Sequence, residues 1–98
     1  MRVILVVIAA LAACLSASEA RASEPVRIFL AGDSTMAEKL PEKRPETGWG
    51  EMLQDWFPAD EVMVSNHAMN GRSTRTFLEE GRWNALLAEL RPGDFVLI

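Results

Sequence analysis

A chain of 98 residues with a formal net charge of −4 at pH 7 sits at the low end of domain size, since a three-layer α/β domain normally wants more than about 100 residues. Its lysines and arginines form no basic cluster, which argues against nucleic acid as a partner, because phosphate binding needs concentrated positive charge. Mild acidity adds only that the folded part suits a solvated surface.

Met1-Arg2 opens the chain, an uncharged run follows from Val3 to Ala13, and Ala20-Arg21-Ala22 precedes Ser23. The apolar run is too short to stay in a bilayer about 30 Å thick, which needs roughly 20 apolar residues. Small residues flank a cut after Ala22 in the manner of a secretory signal. Residues 1–22 are therefore expected to be a signal peptide, with export to the periplasm or the extracellular space. Leu11-Ala12-Ala13-Cys14 also resembles a bacterial lipobox, in which Cys14 would carry a lipid anchor. On neither reading is Cys14 a disulfide half or a catalytic thiol.

Val26, Ile28 and Leu30 alternate with Arg27 and Phe29 and run into Ala31-Gly32-Asp33-Ser34, as a short buried strand does when it ends in a turn. Glu38 to Thr47 carries Pro41, Pro45 and mixed charges without apolar spacing, and reads as a solvated loop whose charges need no functional role. Trp49, Met52, Leu53, Trp56 and Phe57 then fall at i, i+3, i+4, i+7 and i+8, an amphipathic stripe starting near Thr47 or Gly48 and stopped by Pro58. This stripe predicts a helix with both tryptophans against the sheet. Val62-Met63-Val64 is a second short strand, leading into the turn-rich segment Ser65 to Gly71. A helical segment can begin after Gly71-Arg72-Ser73-Thr74, with Gly81 interrupting it. Trp83, Leu86, Leu87 and Leu90 repeat the helical stripe up to Pro92-Gly93. Phe95 to Ile98 starts a third strand. The order β-α-β-α-β with apolar strands predicts a parallel sheet with helices packed on it through right-handed crossovers. An apolar strand at the end of the sequence leads us to expect a truncated domain over residues 23–98, because such an edge exposes apolar surface and open backbone groups.

In an open α/β sheet ligands bind at the carboxyl ends of the strands, and two loops lie there. One places Ser34 directly after the first strand, preceded by a glycine that permits a tight turn and by Asp33, which can bond nearby amides. The other supplies Gly71, where a missing side chain lets a backbone N–H approach a substrate oxygen. A serine hydroxyl alone is inert. It needs a base to take its proton and donors for the oxyanion formed on attack.

Gly32-Asp33-Ser34, then Gly48-Trp49-Gly50-Glu51, then Asn66 followed five residues on by Gly71-Arg72-Ser73, resembles the opening two blocks of the SGNH (GDSL-type) hydrolases. The similarity is greatest to the branch that contains rhamnogalacturonan acetylesterases, which share Ala-Gly-Asp-Ser-Thr-Met-Ala and Gly-Arg-Ser near these spacings. The resemblance implies a three-layer flavodoxin-like α/β fold, of which the first β-α-β-α-β portion is present. It further implies Ser34 as nucleophile and the N–H groups of Ser34 and Gly71 as oxyanion donors. The family's third donor, an asparagine in Gly-x-Asn-Asp, and its acid and base in Asp-x-x-His have no counterpart in these 98 residues. Serine catalysis without those partners falls by orders of magnitude.

His67 is the sole histidine, and a lone loop histidine is a hydrogen-bonding residue before it is a base. Glycine would have to stand where Met36 stands for Ser34 to occupy an α/β-hydrolase elbow. Asp33 reads first as turn-stabilising and second as substrate-binding. Arg72 and Arg75 could grip a sugar-acid carboxylate as forks, against the simpler reading of solvated loop charges. Trp49, Trp56 and Trp83 sit on helix stripes and read as core before sugar-stacking. One histidine and scattered carboxylates lack metal-ligand spacing, and no cofactor is implied. The expected function is therefore deacetylation of cell wall polysaccharide through an acyl-enzyme on Ser34 in the full-length protein. The alternative is an inactive product or a carbohydrate-binding remnant. The expected partner is an ester or acetylated polysaccharide, with no membrane span; the oligomeric state stays open.

Overall fold

The computed structural model describes residues 24–98. The expected signal peptide, the cut after Ala22 and the alternative anchor at Cys14 lie outside the described residues.

Three parallel strands form one sheet: β1 (Val26–Leu30), β2 (Val62–Asn66) and β3 (Phe95–Leu97), in the order β2-β1-β3. Leu30 at the end of β1 pairs with Asn66 on one side and Leu97 on the other. Between β1 and β2 come a 3-10 turn at Pro41–Lys43, helix α1 (Trp49–Leu53) and a second 3-10 turn at Gln54–Trp56. Between β2 and β3 come α2 (Thr74–Glu79) and α3 (Arg82–Glu89). The predicted α/β order and the parallel sheet are both present.

With β1 in the middle, the chain moves one way across the sheet to reach β2 and the other way to reach β3. Connections of one hand then put their helices on opposite faces. Two separate apolar clusters bear this out. Phe29 and Ala31 pack with Phe77 of α2 and Leu86 of α3, joined by Trp83, Leu90 and Val96. Leu30, Met36, Ala37 and Ala68 form the other cluster, with Ile28, Leu53 and Val64 against it. The period-two alternation of β1 thus feeds two cores rather than one core and solvent. Leu30 and Leu86 are 0% exposed, and full burial of each contributes about 1.5–3 kcal/mol.

The α2–α3 break falls where expected. Gly81 has φ 75° and begins α3 in the left-handed region, which glycine enters without steric cost. Ser73 caps α2: its Oγ accepts from Thr76 N at 3.2 Å, and Thr76 Oγ1 accepts from Ser73 N at 2.8 Å, a reciprocal box that satisfies two orphan donors.

The stripe from Trp49 to Phe57 behaves differently from its prediction. The α-helix ends at Leu53 and tightens into a 3-10 turn, so the five apolar residues no longer share one face. Trp56 is 80% exposed and Trp49 46%, which corrects their assignment to the sheet-facing core. Gln54 makes the contact to the sheet instead. Its Nε2 donates to Val62 O at 2.9 Å and its Oε1 accepts from Val64 N at 2.8 Å, satisfying backbone groups of β2 that would otherwise be open. Leu87, also read as part of a buried stripe, is half exposed at the margin of α3.

Arg27 of β1 ties the end of α3 to the sheet. Its Nε lies 3.2 Å from each Asp94 oxygen and one terminal nitrogen donates to Asp94 Oδ2 at 2.8 Å. The same nitrogen caps the carbonyl of Glu89, a free carbonyl at the end of α3. Its guanidinium stacks 4.9 Å from the Phe29 ring centroid. The Arg27 guanidinium first, then the Arg91 N–H, hold the Asp94 carboxyl below its ordinary pKa of 3.8. A depressed folded-state value contributes stability that is present above the unfolded pKa and is lost as pH falls through the folded one. Asp94→Asn is therefore expected to lower Tm near neutral pH, with the gap to wild type narrowing as pH falls below the ordinary value of 3.8; thermal unfolding across a pH series measures it, and a gap independent of pH would contradict it.

Candidate active site

The carboxyl ends of β1 and β3 mark the point where the strand order reverses, the place where open α/β sheets leave a crevice. A cleft of about 550 Å³ opens there, lined among others by Asp33, Thr35, Trp49, Arg72, Trp83 and Ile98. Ser34 stands exposed in the turn between two of its lining residues.

That turn is a single helical coil. Asp33 O accepts from Met36 N at 3.1 Å and from Ala37 N at 3.0 Å. Asp33 Oδ1 accepts from Thr35 N at 3.1 Å and from the Thr35 hydroxyl at 3.0 Å, closing an Asx turn. The Thr35 N–H first, then its hydroxyl, hold the Asp33 carboxyl below its ordinary 3.8. Asp33 is thereby occupied by its own turn.

Two glycines let α1 press its backbone onto this coil. Trp49 N donates to Thr35 O and Gly50 N to Met36 O, both at 3.0 Å. A Cβ on Gly48 would stand 2.0 Å from Ala37 O, and one on Gly50 would stand 2.4 Å from Met36 O and 2.8 Å from Asn66 Nδ2. Both neighbours on the coil are backbone atoms, so nothing can swing aside. The Gly48-Trp49-Gly50-Glu51 segment thus has a mechanical purpose: close approach at 48 and 50, with Glu51 accepting from Gly48 N and Lys39 N at 3.2 Å each. The Arg44 guanidinium grips Glu51 at 2.7 Å and holds its carboxyl below the ordinary range.

The loop after β2 is stitched to the same coil. Asn66 Nδ2 donates to Met36 O at 3.0 Å while its Oδ1 accepts from Ala68 N at 3.0 Å. His67 N donates to Leu30 O and Met69 N to Gly32 O. Gly71 has φ 73° with nothing within 4 Å of a built Cβ, so glycine is required there by backbone conformation and the space above it is open. Arg72 directs that glycine's N–H. One terminal nitrogen donates to Asn70 O at 2.8 Å, and in a planar trans peptide the Gly71 N–H then points the opposite way. Arg72 Nε meanwhile bonds Glu80 at 3.1 Å, so its fork is engaged within the protein. Arg75 is exposed and sits 3.9 Å from Glu79. Among the described residues, neither the Ser34 nor the Gly71 N–H is taken by a backbone acceptor.

His67 faces away from Ser34's turn. Its Nε2 lies 3.1 Å from Glu89 of α3, and its ring lies 5.9 Å from that of Phe29. Trp49 and Trp83 both reach the cleft wall, although Trp83 also packs on the Phe29 cluster. The solvated reading of the 38–47 loop also needs correction. Lys39 is only 5% exposed; its ammonium reaches Ser34 O and, at 2.8 Å, Asn70 Oδ1. A lysine within a run of mixed charge gives no sequence signal of burial.

No protein-family model matches the chain. It is 43% identical over 75 residues to the rhamnogalacturonan acetylesterase RhgT of Bacillus subtilis, covering 76% of this chain and 32% of that protein. It is 44% identical over 71 residues to the rhamnogalacturonan acetylesterase of Emericella nidulans, covering 72% and 25%. The crystal structure of protein YxiM from Bacillus subtilis superimposes with a TM-score of 0.66 at 32% identity, over 74% of this chain and 21% of that one. The sheet, the helices on both of its faces and these matches define a doubly wound α/β fold shared with these proteins over the matched stretch. Over this stretch the chain's curated homologues are rhamnogalacturonan acetylesterases, and its match to YxiM agrees with the fold that the resemblance to the SGNH (GDSL-type) hydrolases implies. It spans about a third or less of the length of the curated relatives it matches.

The glycine packing gives a direct test. Alanine gains about 1 kcal/mol over glycine inside a helix, whereas forced overpacking costs about 1–3 kcal/mol or more. A contact at 2.4 Å to a backbone oxygen puts the balance on the overpacking side. Gly50→Ala is expected to lower stability by about 1–2 kcal/mol net in urea unfolding, whereas Asn84→Ala on the exposed side of α3 leaves it level or raised; a stabilised Gly50→Ala would refute the close-approach account.

Proposed function

We propose that the full-length protein is an exported serine esterase that removes acetyl groups from rhamnogalacturonan-like cell wall polysaccharide. The observation that carries this reading is Ser34, exposed on a braced coil at the carboxyl end of the central strand, with the open N–H of Gly71 on the neighbouring loop. The names of the relatives, rhamnogalacturonan acetylesterases, support the substrate class. Trp49, half exposed on the cleft wall, offers an amphipathic ring to a sugar face.

In this reading Ser34 Oγ attacks the acetyl carbonyl carbon while a base takes its proton. The N–H groups of Ser34 and Gly71 donate to the oxyanion, which is where preorganised dipoles lower the barrier most. Collapse expels the sugar hydroxyl with the proton and leaves acetyl-Ser34. Water then attacks the acyl-enzyme, releasing acetate and restoring the serine. The base comes from the remainder of the full-length protein, because His67 is held by Glu89 and Phe29. Residues 1–22 serve export, and a mature protein beginning at Ser23 on N-terminal sequencing supports that; one beginning at an acylated Cys14 replaces free secretion with a lipid anchor.

In the full-length protein Ser34→Ala is expected to lower acetate release from acetylated rhamnogalacturonan by at least about 10³-fold. His67→Ala is expected to stay within about threefold of wild type, and any further loss would place the histidine in the chemistry. Undiminished release by Ser34→Ala would sink the esterase mechanism.

A further inference from the structure

Lys39 is buried to 5% exposure, the one charged or polar residue so deeply placed among the described residues. Taking an ammonium out of water is costly unless its protons are used. Both of its contacts are neutral oxygens, the Ser34 carbonyl and Asn70 Oδ1, and no carboxylate among the described residues lies within ion-pair distance. If the site only needed filling, an apolar side chain of similar volume would serve as well or better. What an apolar chain cannot do is hold two oxygens at once.

Those oxygens are not arbitrary. One belongs to Ser34 itself, and the other to Asn70, the residue directly before Gly71. Other stitches between the two loops lie further from the N–H groups: Met69 N to Gly32 O, and Asn66 Nδ2 to Met36 O. Lys39 is itself held from behind, its N–H donating to Glu51 Oε2, which Arg44 grips in turn. A chain of contacts therefore runs from Arg44 through Glu51 and Lys39 to both sides of the cleft.

We propose that Lys39 is a positioning residue that sets the Ser34 turn and the Gly71 N–H at a fixed separation, by bonding the Ser34 carbonyl and the Asn70 side chain with one buried ammonium. The proposal rests on the catalytic reading of Ser34 and Gly71. Oxyanion donors must be held to within about 0.5 Å, and a misplacement of about 1 Å costs about 10²-fold in rate. Losing this bridge therefore acts on the transition state and leaves substrate binding largely intact.

The test measures kcat and KM for acetate release by the full-length protein, well below the Tm of each variant. Lys39→Met is expected to lower kcat about 10–100-fold with KM within about twofold. Asn70→Ala, an exposed position that preserves folding, is expected to lower kcat in the same direction. The double variant is expected to lose no more than the worse single, because both remove one shared contact. Should Lys39→Met fail to fold, Asn70→Ala decides alone. Values of kcat within about twofold of wild type, beside an inactive Ser34→Ala, overturn the proposal while the catalytic reading stands. An active Ser34→Ala overturns both.

Discussion

Everything around Ser34 depends on how closely the first turn of α1 approaches the coil that follows β1. Two backbone hydrogen bonds, Trp49 N to Thr35 O and Gly50 N to Met36 O, join them. They exist only because positions 48 and 50 carry no Cβ. Once the coil is clamped, its remaining carbonyls become fixed points. Asn66 reaches Met36 O from the loop after β2, and Lys39 folds back from the coil's own exit to Ser34 O. The turn that carries Ser34 is thereby held more rigidly than loops usually are. That rigidity comes from backbone contact with the first turn of α1.

The sheet supplies the second constraint. Because β1 is central and both of its faces are covered, the turn it leads into is anchored from beneath by Leu30 and Ala31, which are nearly fully buried. Reversal of strand order beside β1 keeps any helix from covering that edge, so the cleft is a consequence of topology. The walls come from α1 on one side, through Trp49, and from α2 and α3 on the other, through Phe77, Leu78 and Trp83. Apolar side chains dominate these walls, and in the proposed reaction such surroundings strengthen hydrogen bonds to a developing charge.

Much of this was legible in the amino-acid sequence, and for physical reasons. Short apolar runs rich in β-branched residues and bounded by turn residues read as strands, so β1, β2 and β3 stood out. Gly81 broke an otherwise continuous helical pattern and does so in the fold, at φ 75°. The tryptophan stripe misled because spacing predicts a face only while the helix lasts, and α1 lasts five residues. Beyond Leu53 the 3-10 turn rotates Trp56 outward, and Gln54 takes the sheet contact through hydrogen bonds that periodicity does not register. The Gly48 and Gly50 requirement was visible as a motif but not as a mechanism. Which backbone each glycine touches is set by tertiary packing, which a local motif does not encode.

Lys39 was the least legible residue, and its case shows where sequence patterns end. The segment around it has prolines, mixed charges and no apolar period, the composition of a solvated loop. Most of that segment is solvated, and Glu38, Leu40 and Lys43 are exposed. One side chain in it turns inward, and it does so because the coil offers an unpaired carbonyl, Asn70 offers an amide oxygen, and Glu51 holds the backbone in place. Burial of a lone charge is decided by the acceptors that meet it rather than by its neighbours in sequence. The same logic separates the two arginines that were candidates for the substrate. Arg72 finds Asn70 O and Glu80 and becomes part of the frame, whereas Arg75 finds only a distant Glu79 and stays in solvent. A positive charge near this cleft therefore acts through the partner it already has.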